Sequence, residues 1–123
     1  MNLRNRVQLI GNLGANPQVR VFENGNKMVR FTVATTDVYK KDDKLIKETQ
    51  WHNVVTWEKT AEIAEKNLIV GSEVVIDGRL IQRSYLDKDG VKKYITEVVA
   101  NTIMFTHKTG LNAKSEQVVE KRA

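Results

Sequence analysis

Gln50-Trp51-His52-Asn53-Val54-Val55-Thr56-Trp57-Glu58-Lys59-Thr60-Ala61 decides the fold, because its pattern changes at Trp57. From Glu48 to Trp57 the chain is rich in aromatic and β-branched residues and reads as a strand. After Trp57 the period becomes helical. Ala61, Ala64 and Leu68 recur at i, i+3 and i+7 and make one narrow apolar stripe on a short helix of about two to three turns. Thr60 is a fair N-cap, Glu62 suits the positive helix end, and Gly71 stands where a C′ glycine belongs.

Upstream, Met28 to Tyr39 alternates, with Val29, Phe31 and Val33 on one face and Arg30 and Thr32 on the other. Gln18 to Phe22 runs into Asn24-Gly25, read as a two-residue hairpin turn. Val7 to Leu13 is a further strand, with a bend or bulge expected at Gly11. Lys40-Lys41-Asp42-Asp43-Lys44 reads as an exposed, mobile hairpin loop. Downstream, Glu73 to Tyr85 holds Val74, Ile76 and Leu80 in one phase, with Gly78 marking a bend. Asp89-Gly90 signals a second hairpin, and Lys93 to Phe105 is the last strand.

Gln18 to Tyr39 reads either as one bent strand or as two short pieces; on the first count the order is three strands, one helix and two strands. This is an all-β chain with one short helix, able to close into a five-stranded barrel whose helix, between strands 3 and 4, plugs one end. That order is the order of an OB-fold. The barrel domain is expected over residues 1–108, with Val29, Phe31, Val33, Val74, Ile76, Leu80 and Val98 as core candidates. Residues 109–123 are polar, lack a period, and are expected to form a short disordered tail.

Composition narrows the function. The chain has 123 residues, 41% of them hydrophobic, enough for one domain with a real core. Twenty Lys and Arg against 15 Asp and Glu give a net charge of +5, which allows a polyanionic partner without requiring one. There is no cysteine, so disulfides and thiolate chemistry are excluded. His52 and His107 lack metal-ligand spacing, and His52 has no recognisable partner acid or nucleophile. The acidic residues are scattered, without the cluster a two-metal nuclease needs. The reading is therefore no enzyme, no cofactor and no metal. No apolar run approaches a membrane span, and Met1 to Arg6 lacks the apolar core of a secretory signal, so a cytoplasmic, nucleoid-associated protein is expected.

Four linked stretches carry a family likeness. They are Gly11-Asn12-Leu13-Gly14-Ala15-Asn16-Pro17-Gln18-Val19-Arg20; Gln50 to Val55 with Trp57 to Glu62; Gly71 to Val74 with Asp77 to Leu80; and Thr96-Glu97-Val98-Val99. In this order and spacing the chain resembles the bacterial single-stranded DNA-binding proteins from about Asn5 to Phe105. The resemblance implies homotetramers of OB-folds that bind single strands without sequence preference, serve replication, recombination and repair, and stack bases on aromatic side chains.

The residues suit that role. Trp51 and Trp57 are separated by an even offset, so they share one strand face, about 20 Å apart at about 3.3 Å per residue. Tyr39 and Tyr85 end neighbouring strands at positions where the family commonly has an aromatic residue, and are candidates to extend the platform. Arg20, Arg30, Lys40, Lys41, Lys59, Arg79 and Arg83 are candidates to neutralise phosphates, with Lys41, Lys59 and Arg83 nearest the aromatics in sequence. The first strand carries Val7, Leu9 and Gly11 on one phase and is available to pair across a two-fold axis.

The chain departs from the family in places. Ile69 and Val70 stand where relatives often carry basic residues, and Ser84 where Lys or Arg is common. The family usually ends in an acidic-hydrophobic tip that recruits replication and repair proteins, whereas this sequence reads Glu120-Lys121-Arg122-Ala123. Little partner recruitment and little self-inhibition by the tail are expected. The alternative reading is a tailless primosomal accessory OB-fold protein acting mainly through protein contacts; the two tryptophans and the length of the match argue against it.

Overall fold

Trp57 ends one strand and caps the helix that follows, so the change of period at that residue is also a change of element without any loop. The computed structural model describes residues 3–106, and within them the chain forms β1 (Val7–Leu13), β2 (Gln18–Val21), β3 (Lys27–Lys41), β4 (Lys44–Trp57), α1 (Glu58–Asn67), β5 (Glu73–Leu86) and β6 (Lys92–Phe105).

The strands run β1-β5-β6-β4-β3-β2, and an added pairing of β1 with β3 closes five of them into a barrel. Closure takes place at the end of β1. Residues Val7 to Asn12 pair with β5, while Asn12 and Leu13 pair with Ala34 and Val33 of β3. Gly11 lies at this change of partner, where any Cβ would overlap the Ala34 carbonyl. Gly78 marks the other bend: β5 and β6 slip register between Asp77 and Gly78, and a Cβ there would meet the Val99 carbonyl. β2 is a short strand on the edge of β3, so of the two readings of Gln18 to Tyr39 the two-piece one holds. The five-stranded barrel with one helix stands, the helix following the third long strand.

In the first half of β3 the odd positions point inward. Val29, Phe31 and Val33 pack with Val54, Val74, Ile76, Val98, Ile103 and Phe105, and α1 adds Ala61, Ala64 and Leu68 to the same core. A fully buried side chain such as Ile76 contributes about 1.5–3 kcal/mol.

Turn chemistry differs from the expectation. Asn24-Gly25 and Asp89-Gly90 both lie in three-residue loops: Phe22 N–H bonds the Asn26 carbonyl, and Asp87 N–H bonds that of Val91. Only the glycine of each loop has positive φ, 88° at Gly25 and 78° at Gly90, as a type I turn closed by a left-handed residue requires. The two-residue turn is instead Asp42-Asp43, both left-handed at 52° and 62°. Lys40 and Lys41 therefore continue β3, and Lys44 begins β4, in place of the expected loop.

Four further expectations shift. The helix begins two residues before Thr60, so Thr60 is a buried member of its first turn and not its cap; Glu58 is the acidic residue of that turn. The helix ends at Leu68, and Gly71 belongs to the turn closed by Ser72 N–H on the Ile69 carbonyl. Leu80 is 46% exposed although it faces Val98, because the pairing of β1 with β5 stops at Gly78 and covers nothing beyond. On β1, Val7 and Leu9 pack on the core, leaving Gln8, Ile10 and Asn12 to face outward. His107 and the tail of residues 109–123 lie outside the described residues.

Candidate nucleic-acid interface

Because β3, β4, β6 and β5 pair side by side, their outward positions make one continuous face. Arg30 stands opposite Val55, Val55 opposite Val99, and Val99 opposite Arg79. By the same registers Trp51, Asn53 and Trp57 share this face with Glu97, Ile81, Arg83 and Tyr85. β2 adds Arg20, paired with Met28.

The two tryptophans are held from below. Trp51 is 61% exposed, and its ring rests on Gly14 of the β1–β2 loop, which is tied to β3 by Gly14 N–H to the Thr32 carbonyl at 3.1 Å. Trp57 is 38% exposed and stacks on Phe22, with centroids 5.8 Å apart and planes 21° from parallel. The Arg20 guanidinium covers the Phe22 ring at 4.7 Å. An aromatic pair of this kind contributes about 0.5–1.5 kcal/mol beyond its buried area, and an exposed cation–π contact about 0.5–1 kcal/mol. These contacts fix the rings before any ligand arrives.

Between Trp57 and Tyr85 lies a charged cluster. Glu97 is only 2% exposed, yet it sits on the outward face of β6. Its Oε1 accepts from Arg83 Nε at 2.7 Å and its Oε2 faces Arg30 Nη2 at 3.2 Å. Arg83 also reaches Oε2 through Nη2 at 3.4 Å. The hydrogen bond to Glu97, foremost among the causes, holds the Arg83 guanidinium still further above its ordinary range. A groove of about 240 Å³ opens beside the cluster, lined by Asn16, Gln18, Arg30, Asn53, Ile95 and Glu97 among others.

The structure thus brings together Trp51, Trp57, Tyr85, Arg20, Arg30, Arg79 and Arg83. It does not bring Tyr39 to them. Tyr39 pairs with Ile46 and stands on the other face of the β3–β4 hairpin, where its hydroxyl donates to Glu48 at 2.8 Å. That bond is the main cause holding the Tyr39 phenol above its usual range. Lys40 and Lys41 lie at the far end of the same hairpin, and Lys59 is on α1. His52 shares a 2.9 Å hydrogen bond with the Thr35 hydroxyl.

Three residues of the face went unread in the sequence. Phe22 reads in the sequence only as a strand end before a turn. Lys93 stands opposite Tyr85. Glu97 enters the sequence reading only within the family motif; its signal is a lone acid in the otherwise uncharged stretch Ile95 to Val99, on the phase of the face.

Comparison with known proteins gives three results. Residues 4–106 match the model of the "Single-strand binding protein family". The "Single-stranded DNA-binding protein 1" of Xylella fastidiosa is 42% identical over 112 residues, covering 89% of this chain and 82% of the relative. A solved structure described as "Plasmodium falciparum SSB complex with ssDNA" superposes with a TM-score of 0.77 at 26% identity, covering 87% of this chain and all of the other.

Proposed function

The chain belongs to the single-strand binding protein family, and on that footing we propose that it binds and protects single-stranded DNA without sequence preference, and catalyses no reaction. The observation that carries this is the row of exposed rings, Trp51 and Trp57 seated on Gly14 and Phe22 and Tyr85 beyond them, on one face with Arg20, Arg30, Arg79 and Arg83. Every base offers a π-face, so stacking is indifferent to sequence, while guanidiniums attract the backbone phosphates. The fuller reading adds a homotetramer, a role in replication, recombination and repair, and a cytoplasmic setting. Among the described residues no helix is long and apolar enough to cross a membrane.

Titration with poly-deoxythymidine, followed by tryptophan fluorescence at several salt concentrations, tests the proposal. Emission is expected to be quenched, and the log–log salt slope to steepen by about 0.7 for each phosphate neutralised on a single strand. No quenching and no salt-dependent binding would sink it, as would cleavage of labelled DNA in the presence of magnesium.

A further inference from the structure

A carboxylate does not belong by default on a face that receives phosphates, and Glu97 is buried in the middle of one. Buried without partners, its charge would be strongly disfavoured. It is not without partners: both oxygens engage guanidiniums, Oε1 that of Arg83 on β5 and Oε2 those of Arg30 on β3 and Arg83. The carboxylate therefore bridges two strands that are not themselves paired, across β6 and β4. A guanidinium has five N–H donors in a rigid fork. Glu97 occupies the Nε/Nη2 edge of Arg83, leaving the Nη1 side to meet a ligand. Together the three side chains carry a net charge of one, not two.

We infer that Glu97 acts on the DNA-binding face through Arg30 and Arg83: held between them, it reduces their joint charge to that of one cation. This rests on the proposal that the face binds single-stranded DNA. It follows that Arg30 and Arg83 together count as about one phosphate contact in the salt dependence, and that the face binds less tightly at low salt than its arginines would allow. A damped face releases DNA more readily.

Substitution E97Q keeps the size of the side chain and removes its charge. The variant is expected to bind poly-deoxythymidine more tightly at low salt, with a salt slope steeper by about 0.7. A tenfold rise in salt then costs E97Q about 5-fold more affinity than it costs the wild type. A merely structural residue predicts the reverse, weaker binding with the slope unmoved, and that result overturns the inference. Should E97Q fail to fold, R83Q and R83Q/E97Q supply the test, since removing both members of the pair leaves no stranded carboxylate beside a missing partner. R83Q alone is expected to flatten the slope by about 0.7, and the double variant to recover it. A double variant as flat as R83Q refutes the damping role. Wild-type protein that ignores poly-deoxythymidine sinks the functional reading itself, a different failure from a wild type that binds and an E97Q variant that matches it.

Discussion

The indole of Trp51 is placed by a residue with no side chain. A Cβ on Gly14 would overlap the Trp51 ring, so Gly14→Ala must push the ring off its seat while leaving the barrel core untouched. The variant is expected to keep its circular dichroism spectrum, to shift its tryptophan emission, and to bind single-stranded DNA more weakly. Binding indistinguishable from wild type would mean that the ring's seat is irrelevant. Trp51 is exposed, so Trp51→Ala should cost little stability, whereas Trp57→Ala also gives up the stack on Phe22, worth about 0.5–1.5 kcal/mol beyond its buried area. Each should cost about 1–3 kcal/mol of binding, the usual worth of a base stacked on an aromatic ring in proteins of this kind. Unchanged affinity in a folded double variant would refute the platform. Tyr39→Ala should cost less, since Tyr39 stands on the other face and its hydroxyl is engaged by Glu48. That difference was not legible in the sequence. Trp51 and Trp57 lie on one strand, where parity alone fixes the shared face. Tyr39 lies on the next strand, and its face depends on the register with which Ala34 meets Trp51. Family likeness could supply the position but not the register.

At the scale of elements, hydrophobic phase was readable and polar punctuation less so. Ala61, Ala64 and Leu68 bury as their spacing requires, whereas Thr60, a good capping residue by type, caps nothing. The helix starts on Trp57 because β4 feeds straight into it, and this tertiary constraint overrides the local preference for a hydroxyl cap. The consequence is a buried Thr60 hydroxyl with no hydrogen-bond partner. Thr60→Val preserves the shape and removes that unsatisfied group, so it should raise stability by about 1 kcal/mol, a few degrees in Tm for a domain of this size. A calorimetric Tm lower than wild type would show that the hydroxyl is satisfied after all. The turns follow the same logic. Gly25 and Gly90 signal the hairpins, but loop length is set by where backbone pairing ends, at Phe22–Asn26 and Asp87–Val91. Glu97 shows the limit most clearly. From sequence a charged residue on an outward strand phase reads as a solvated one, and only the arrival of Arg30 and Arg83 from two other strands turns it into a buried bridge.

At the scale of the whole molecule, the open question of the barrel is the edge of β1. One side of this strand pairs with β5 from Val7 to Asn12, while the other meets β3 only at Asn12 and Leu13. Among the described residues the stretch Val7 to Ile10 thus offers one edge of backbone donors and acceptors without a strand beside it. Such an edge is a template for pairing, and two antiparallel copies related by a two-fold axis would satisfy each other. The side chain that such pairing would bring face to face is Ile10, outward on β1 and 59% exposed, and not Val7 or Leu9, which the core has already claimed. The number four comes from the family resemblance; the available edge comes from this chain. Light scattering at micromolar concentration is expected to give about four times the mass of one chain, and the thermal midpoint should rise with protein concentration, as association linked to folding demands. Ile10→Asp places like charges across the axis and should lower the measured mass while leaving the barrel folded. If the wild-type protein scatters as a single chain, β1 is an edge without a partner and DNA is bound by one barrel at a time.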